Sequence, residues 1–234
     1  MTDIEVPLVG GRVTAGVVRI GDTVRRPIQG DRSDVHALLK HLEARGFNGT
    51  PRFLGFDEHG REILSYLPGA VPVDLAHYDD AQLAAAAALL RRFHDATADF
   101  ELILRAHAEV VCHNDWGGHN AVFRDGMPYG IIDFDTIAPG LRLWDLGYSA
   151  FSWLDLGNTD YSGEEQVRRL SVFAGGYGYA GCGPAEVAVH AVARQTALAA
   201  SGRRRGMTAM AEWAAEAASW TAANVVELLL PTRM

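Results

Sequence analysis

Lysine is almost missing from this chain. Lys40 stands alone among 234 residues, and the other basic side chains, within a Lys+Arg total of 21, are arginines. The skew accompanies abundant alanine and glycine, so arginine richness by itself assigns no function. Cysteine is scarce too: Cys112 and Cys182 cannot make a disulfide framework of the kind that staples small secreted domains. No apolar run reaches the eighteen or so residues of a membrane span, and the longest candidate, residues 84–90, is mostly alanine. The opening residues MTDIEVPLVGG place acids where a secretory leader needs a basic start, so a reducing cytoplasm is the expected home. Positive charge is also in deficit. A formal net charge of −8 argues against duplex nucleic acid as a partner. What is present is a core: 48% hydrophobic residues in 25.3 kDa describe a folded globular chain.

Two regions of different character follow one another. Up to Leu67 the chain reads as short strands with one helix. EVPLVGG, GVVRIG and TVRRPI are β-rich pieces broken by glycine signals. SDVHALLKHLEARGF spaces Val35, Leu38, Leu39 and Leu42 for a helix face, with Ser33 or Asp34 able to cap it and Gly46 to end it. PRFLGF and REILSYL bracket the turn DEHG as a hairpin, and LPGAVP (67–72) suits a linker. From residue 68 the pattern is helical. Asp79 or Asp80 opens a helix that carries Leu83, Leu90 and Phe93 inward, and AVFRDGMPYGIIDF folds as two strands about Asp-Gly. After Leu141 helix follows helix, with the aromatics Trp144, Tyr148, Phe151, Trp153, Trp213 and Trp220 expected in the core. The expectation is an α+β chain: a small β-rich lobe over 1–67 and a larger, mainly helical one over 68–234.

The stretch CHNDWGGHNAVF, followed by IIDFD, needs a reason. Semi-buried carboxylates are costly unless they are paired or hold a cation. Asp115 follows the apolar Val110 and Val111 on a loop, where it can take the proton of an acceptor hydroxyl. Asn120 lies five residues on and offers an amide oxygen. Asp133 comes after the predicted hairpin, with Asp135 close enough for a second or water-mediated contact. Hard oxygen donors in this number suit Mg²⁺, and a positioned acceptor with screened phosphate charge is what phosphoryl transfer asks of a protein.

In this order the residues resemble a known family. His113-Asn114-Asp115, with Asn120 five residues on, is similar to the catalytic loop of protein-kinase-like proteins, and Ile132-Asp133-Phe134-Asp135 to their metal-binding segment. RRFHDAT, ILSYLPG and LRLWDLGY occur in the family's order, so the chain resembles the aminoglycoside phosphotransferase and choline kinase family of small-molecule kinases. The resemblance implies an ATP- and Mg-dependent phosphotransferase acting on a hydroxyl of a small molecule, an aminoglycoside-type antibiotic among the candidates. Asp115 would then be the catalytic acid–base residue and His113 the prop of its loop. Asn120, Asp133 and Asp135 would hold metal, with Asp145 anchoring the loop.

For the nucleotide, the resemblance implies Gly10, Gly11 and Gly16 over the phosphates and Ser65 and Leu67 beside adenine. The family's third-strand lysine is absent, and Arg25 is its best match, with Arg26 facing the other way. The helix glutamate that usually orients that cation is absent near Val35 and His36. These departures keep a second reading open, a non-catalytic nucleotide-binding or immunity-type protein on the same fold. A metallohydrolase read on His113, Asp115 and His119 lacks a further protein ligand at suitable spacing. Cys112 reads as a small buried hydrophobe. Asp155, Asp160, Glu164 and Glu165 form an acidic stretch suited either to a cationic acceptor or to solvent.

Overall fold

The computed structural model describes residues 4–8, 16–72 and 77–230. Five short strands form one antiparallel sheet: β1 (Val6–Pro7), β2 (Val18–Ile20), β3 (Thr23–Arg26), β4 (Phe53–Phe56) and β5 (Glu62–Ser65), in spatial order β1-β2-β3-β5-β4. The predicted hairpin about DEHG is the β4–β5 pair. The Asp57 carboxylate accepts the His59 and Arg61 amides there, and Gly60 supplies the left-handed residue at φ 72°. Between β3 and β4 runs α1 (Ser33–Ala44), which buries the expected Val35, Leu38, Leu39 and Leu42. Its start differs from expectation. Neither Ser33 nor Asp34 caps it; Arg32 occupies the cap position, and Asp31 takes the Ser33 amide at 2.8 Å.

The helical portion opens with α2 (Asp80–Thr97), where Asp79 and Gln82 form a reciprocal capping box. After it come α3 (Glu101–Ala106), β6 (Val110–Cys112), β7 (Ala121–Arg124), β8 (Met127–Ile131), β9 (Ala138–Gly140), α4 (Arg142–Leu154), α5 (Gly163–Tyr177), α6 (Pro184–Arg204) and α7 (Thr208–Thr221). Strands β7 and β8 are the Asp125-Gly126 hairpin read from the sequence, both turn residues at positive φ. The pairing of β6 with β9 was not legible, because Ala-Pro-Gly reads as a turn. Helix α2 packs on α5, and α4 and α7 pack on α6. Leu83, Leu90, Phe93, Trp116, Trp153 and Phe173 are fully buried among them. Of the six aromatics expected in the core, Phe151 and Trp153 are buried there; Trp144, Tyr148 and Trp220 are half-buried and Trp213 is 46% exposed, with Tyr148 and Trp213 facing the same cleft.

Helix α4 approaches α6 so closely at Gly147 that a Cβ there would lie 2.6 Å from the His190 carbonyl carbon. Gly147→Ala should therefore cost about 1–3 kcal/mol in chemical denaturation. Gly175 in α5 has nothing within 4 Å of such an atom, and Gly175→Ala should be neutral or stabilising by up to about 1 kcal/mol.

Candidate active site

The site begins with a buried charge. Asp145, in the first turn of α4 and fully buried, accepts the amides of His113 and Asn114, each at 2.7 Å, and the His94 Nε2 at 3.0 Å. Burial alone would raise this carboxyl's pKa. The His94 hydrogen bond, helped by His113, outweighs that and holds it below the usual range. The grip fixes the turn after β6, where Asn114 adopts φ 65°. Arg194 of α6 secures the same residue by donating to the Asn114 carbonyl at 2.9 Å and side-chain oxygen at 3.3 Å.

His113 is fully buried with both ring nitrogens engaged: Nε2 meets the Ile132 carbonyl at 3.0 Å, and Nδ1 accepts the Asp115 amide at 3.3 Å. Thr136 donates to the His113 carbonyl at 2.7 Å, and Asn114 Nδ2 donates to the Thr136 carbonyl at 2.9 Å. The loop at 113–115 and the segment at 132–136 are thus stapled side by side.

Asp115 emerges from this frame into a cleft of about 690 Å³. Its Oδ1 takes the Tyr148 hydroxyl at 2.5 Å and lies 3.4 Å from His119 Nε2; its Oδ2 takes the Asn120 amide nitrogen at 2.9 Å. Burial pushes its pKa up, but the bonds from His119 and Tyr148 prevail, so the group sits below its ordinary value and is a carboxylate at neutral pH. Trp116-Gly117-Gly118 lets the chain reach Asn120 through a tight gap. A Cβ on Gly118 would fall 1.7 Å from the Tyr78 hydroxyl, and one on Gly117 2.1 Å from the Ser152 Oγ. Asn120 and Asp133 line the same cleft. Asp133, at φ 64°, has its pKa raised by burial and by Asp135 beside it, the state of a carboxylate that a cation would relieve.

The sheet lobe supplies that neighbourhood with arginine. Alternation along β3 puts Val24 and Arg26 on the cleft side, whereas Arg25 turns to the far face, donating to Thr23 Oγ1 at 2.6 Å and sitting 3.8 Å from Asp57. The cation that meets the acidic segment is therefore Arg26, not Arg25. Its guanidinium donates to Asp135 Oδ1 at 2.8 Å, bonds Asp135 Oδ2, and lies 3.3 Å from both Asp133 and Glu62. Glu62, fully buried, is the cross-strand partner of Arg26 in the β3–β5 register. Arg32 joins the cluster, bonding Asp135 and lying 3.2 Å from Glu62. His36 closes it at 2.8 Å from Glu62.

Of the remaining expected nucleotide residues, Gly10 and Gly11 lie outside the described residues. Gly16 turns at φ 82°, and Ser65 and Leu67 line the cleft. Asp135 touches the arginines, although it does not line the cleft. Sequence reading missed Arg32, Glu62 and Tyr148. The shared face of Val24 and Arg26 was legible from their period-two spacing, but not that this face meets the cleft; Glu62 needed the register of two separate hairpins.

The donor set would suit a hard divalent ion, because Asn120 and Asp133 offer oxygen donors and both nitrogens of His113 are used by the fold. With both ring nitrogens engaged by the Ile132 carbonyl and the Asp115 amide, His113 has none turned to a shared centre with Asp115 and His119. Cys112 is buried and its thiol pushed well up by desolvation, an inert group as expected. Arg203, Arg204 and Arg205 are exposed at the end of α6.

A small antiparallel sheet lobe, a larger helical portion and a loop–hairpin pair of acids on one cleft define a protein-kinase-like phosphotransferase fold. Within that class, residues 98–189 match the model of the phosphotransferase enzyme family, which bears out the family resemblance carried by the motifs. The chain is 36% identical over 177 residues to the trifolitoxin immunity protein of Rhizobium leguminosarum bv. trifolii, an alignment covering 70% of this chain and 66% of that protein. It is 27% identical over 160 residues to an uncharacterized protein of Deinococcus radiodurans, of which it spans 46%. Its fold resembles a choline/ethanolamine kinase family protein from Mesorhizobium loti, with TM-score 0.58, 18% identity, and 99% of this chain and 89% of that one covered. It also resembles an aminoglycoside phosphotransferase from Streptomyces rimosus in complex with ADP and streptomycin, with TM-score 0.53, 19% identity, and 72% and 85% covered. At these identities the structural likeness is one of fold.

Burial holds His113 below its ordinary pKa of 6.5. The unfolded chain then takes up a proton that the folded chain refuses, so this contribution to stability is whole above about pH 6.5 and lost as pH falls below it. Denaturation free energies should decline from pH 7 to pH 5.5, and His113→Gln should flatten that decline; an unaltered slope would contradict the assignment.

Proposed function

We propose that the protein is an ATP- and Mg²⁺-dependent phosphotransferase acting on a hydroxyl of a small molecule. The observation that carries this reading is the convergence of Asp115, Asn120 and Asp133 on a cleft to which strand β3 brings Arg26 beside Asp133. The Asp115 carboxylate, kept ionised by its partners, orients the acceptor hydroxyl and takes its proton. Asn120 and Asp133 would hold Mg²⁺, which when bound neutralises charge on the phosphates. Arg26 offers those phosphates a cation fixed by Glu62. The base would lie against Leu8, Val17, Val24, Leu64 and Val122. Ser65 and Tyr66 give their amides to the Arg52 and Asp22 carbonyls, and among the described residues the Leu67 amide has no backbone acceptor, which would leave it for the base edge. Chemistry in such a site is mostly positioning and electrostatics.

The acceptor end of the cleft is walled by Tyr148, Phe151, Leu198, Met210 and Trp213, with Asp155 as its acid. Asp160 and Glu164 are exposed instead, and Glu165 is tied to Arg168. An aromatic wall with one carboxylate suits an antibiotic-like or amino-alcohol acceptor. The Rhizobium relative's name supports a second reading, nucleotide binding in an immunity-type protein without turnover. The Tyr148 hydroxyl on Asp115 favours it as well, since that hydroxyl occupies the oxygen an acceptor would need.

ADP release from Mg·ATP across a panel of hydroxylated antibiotics and metabolites separates the two. Turnover with one acceptor is expected; a raised melting temperature with ATP and no turnover with any acceptor would favour the second. Asp115→Asn should lower kcat by about 10²–10⁴-fold with nucleotide affinity nearly intact. Asp133→Asn should instead remove the Mg²⁺ dependence of nucleotide binding, read by calorimetry with and without EDTA.

A further inference from the structure

The cluster of charge above the cleft contains one more cation than a lysine-for-arginine exchange requires. Glu62 is satisfied without Arg32: Arg26 stands opposite it in the β-ladder at 3.3 Å, and His36 meets its Oε2 at 2.8 Å. Yet Arg32 is held against both carboxylate oxygens of Glu62, at 3.2 Å each, with a side chain only 7% exposed. A long, flexible cation is seldom fixed this way on a surface, since ordering it costs rotamer entropy and desolvating it costs more. The remaining end of its guanidinium, Nη1, is turned to Asp135, and the residue lines the cleft.

Two arginines that line the cleft thus share one acid that anchors them, Glu62, and a second on their other side, Asp135. Against their two positive charges stand three negative ones: Glu62, Asp133 and Asp135. Asp135 is consequently paired to the very groups a polyanion would seek.

We infer that Arg32 is a second phosphate-binding residue of the nucleotide site, positioned by Glu62, and that Asp135 holds its place until the phosphate chain of a nucleoside triphosphate displaces it. The inference rests on the nucleotide-binding reading proposed above. Arg26 and Arg32 present planar donors from two directions, Arg26 from β3 and Arg32 from the entry to α1. A phosphate chain has oxygens for both, and a guanidinium fork fits them as pairs of charge-assisted hydrogen bonds. Asp135, released, would turn toward the divalent ion that accompanies the nucleotide.

Calorimetric titration of the full chain with Mg·ATP and, in parallel, with adenosine tests this. Arg32→Gln should weaken Mg·ATP binding about tenfold, the worth of one charge-assisted hydrogen bond, and leave adenosine binding within about twofold, because the base wall does not include Arg32. Arg32→Lys, which keeps the charge but loses the fork, should fall between, at about threefold; if the Gln variant does not fold, the Lys variant decides by the same ratio. Loss of both ligands in equal proportion would assign Arg32 a structural role and overturn the inference. Unchanged Mg·ATP affinity in a wild-type-like variant would overturn it while leaving the nucleotide reading standing. A wild-type protein that binds neither ligand would overturn both.

Discussion

One carboxylate, Asp145, sets everything in the cleft. A fully buried charge is tolerated only where donors surround it, and here two backbone amides and an imidazole do so. The amides belong to the residues immediately before Asp115, so the charge that stabilises the helical portion also determines where the candidate base points. His94 passes the constraint on. Its other nitrogen meets the Tyr177 hydroxyl at 2.8 Å, and Arg142 meets that hydroxyl at 3.2 Å, so α2, α4 and α5 share a single polar thread through an apolar core. Such a network is worth having only when every member is satisfied, and each hydrogen bond in this thread has its partner.

Above the cleft the same logic is met with different residues. Proteins that this chain resembles place a lysine on the third strand and a glutamate on the helix; here an arginine takes the strand, and the acid moves to the neighbouring strand. The β-ladder makes the exchange workable, since Arg26 and Glu62 are register partners on one face. Helix α1 contributes His36 in place of its own acid, and the entry to α1 contributes Arg32. Guanidinium geometry matters to the outcome. A planar group with five donors can contact Glu62, Asp133 and Asp135 together, as Arg26 does, where a point-like ammonium would contact them less evenly.

The two ends of the cleft differ in chemistry. Toward the sheet it is largely aliphatic; toward α6 and α7 it becomes aromatic, with Trp213 packed on Phe151 at 5.0 Å between ring centroids. Arg194 sits behind this wall, 4.9 Å over the Tyr148 ring and 4.6 Å over Trp144. One side chain therefore ties the loop that carries Asp115 to the aromatic wall.

Several of these features were written in the chain itself. The helix faces of α1 and α2, the Asp79 cap, the Asp-Gly hairpin and the spacing of Asp115, Asn120 and Asp133 are local, fixed by periodicity, capping and turn chemistry over a few residues. The acidic constellation was legible because its members sit on one loop and the hairpin that follows. The choice of Arg26 over Arg25 turned on which face of a four-residue strand met the cleft, and only the packed sheet decided that. Glu62, Arg32 and Tyr148 joined the site from three distant elements whose meeting no local pattern encodes. Their side chains are polar or aromatic for reasons that exist only once buried charge must be balanced across lobes, and that balance is a property of the assembled fold.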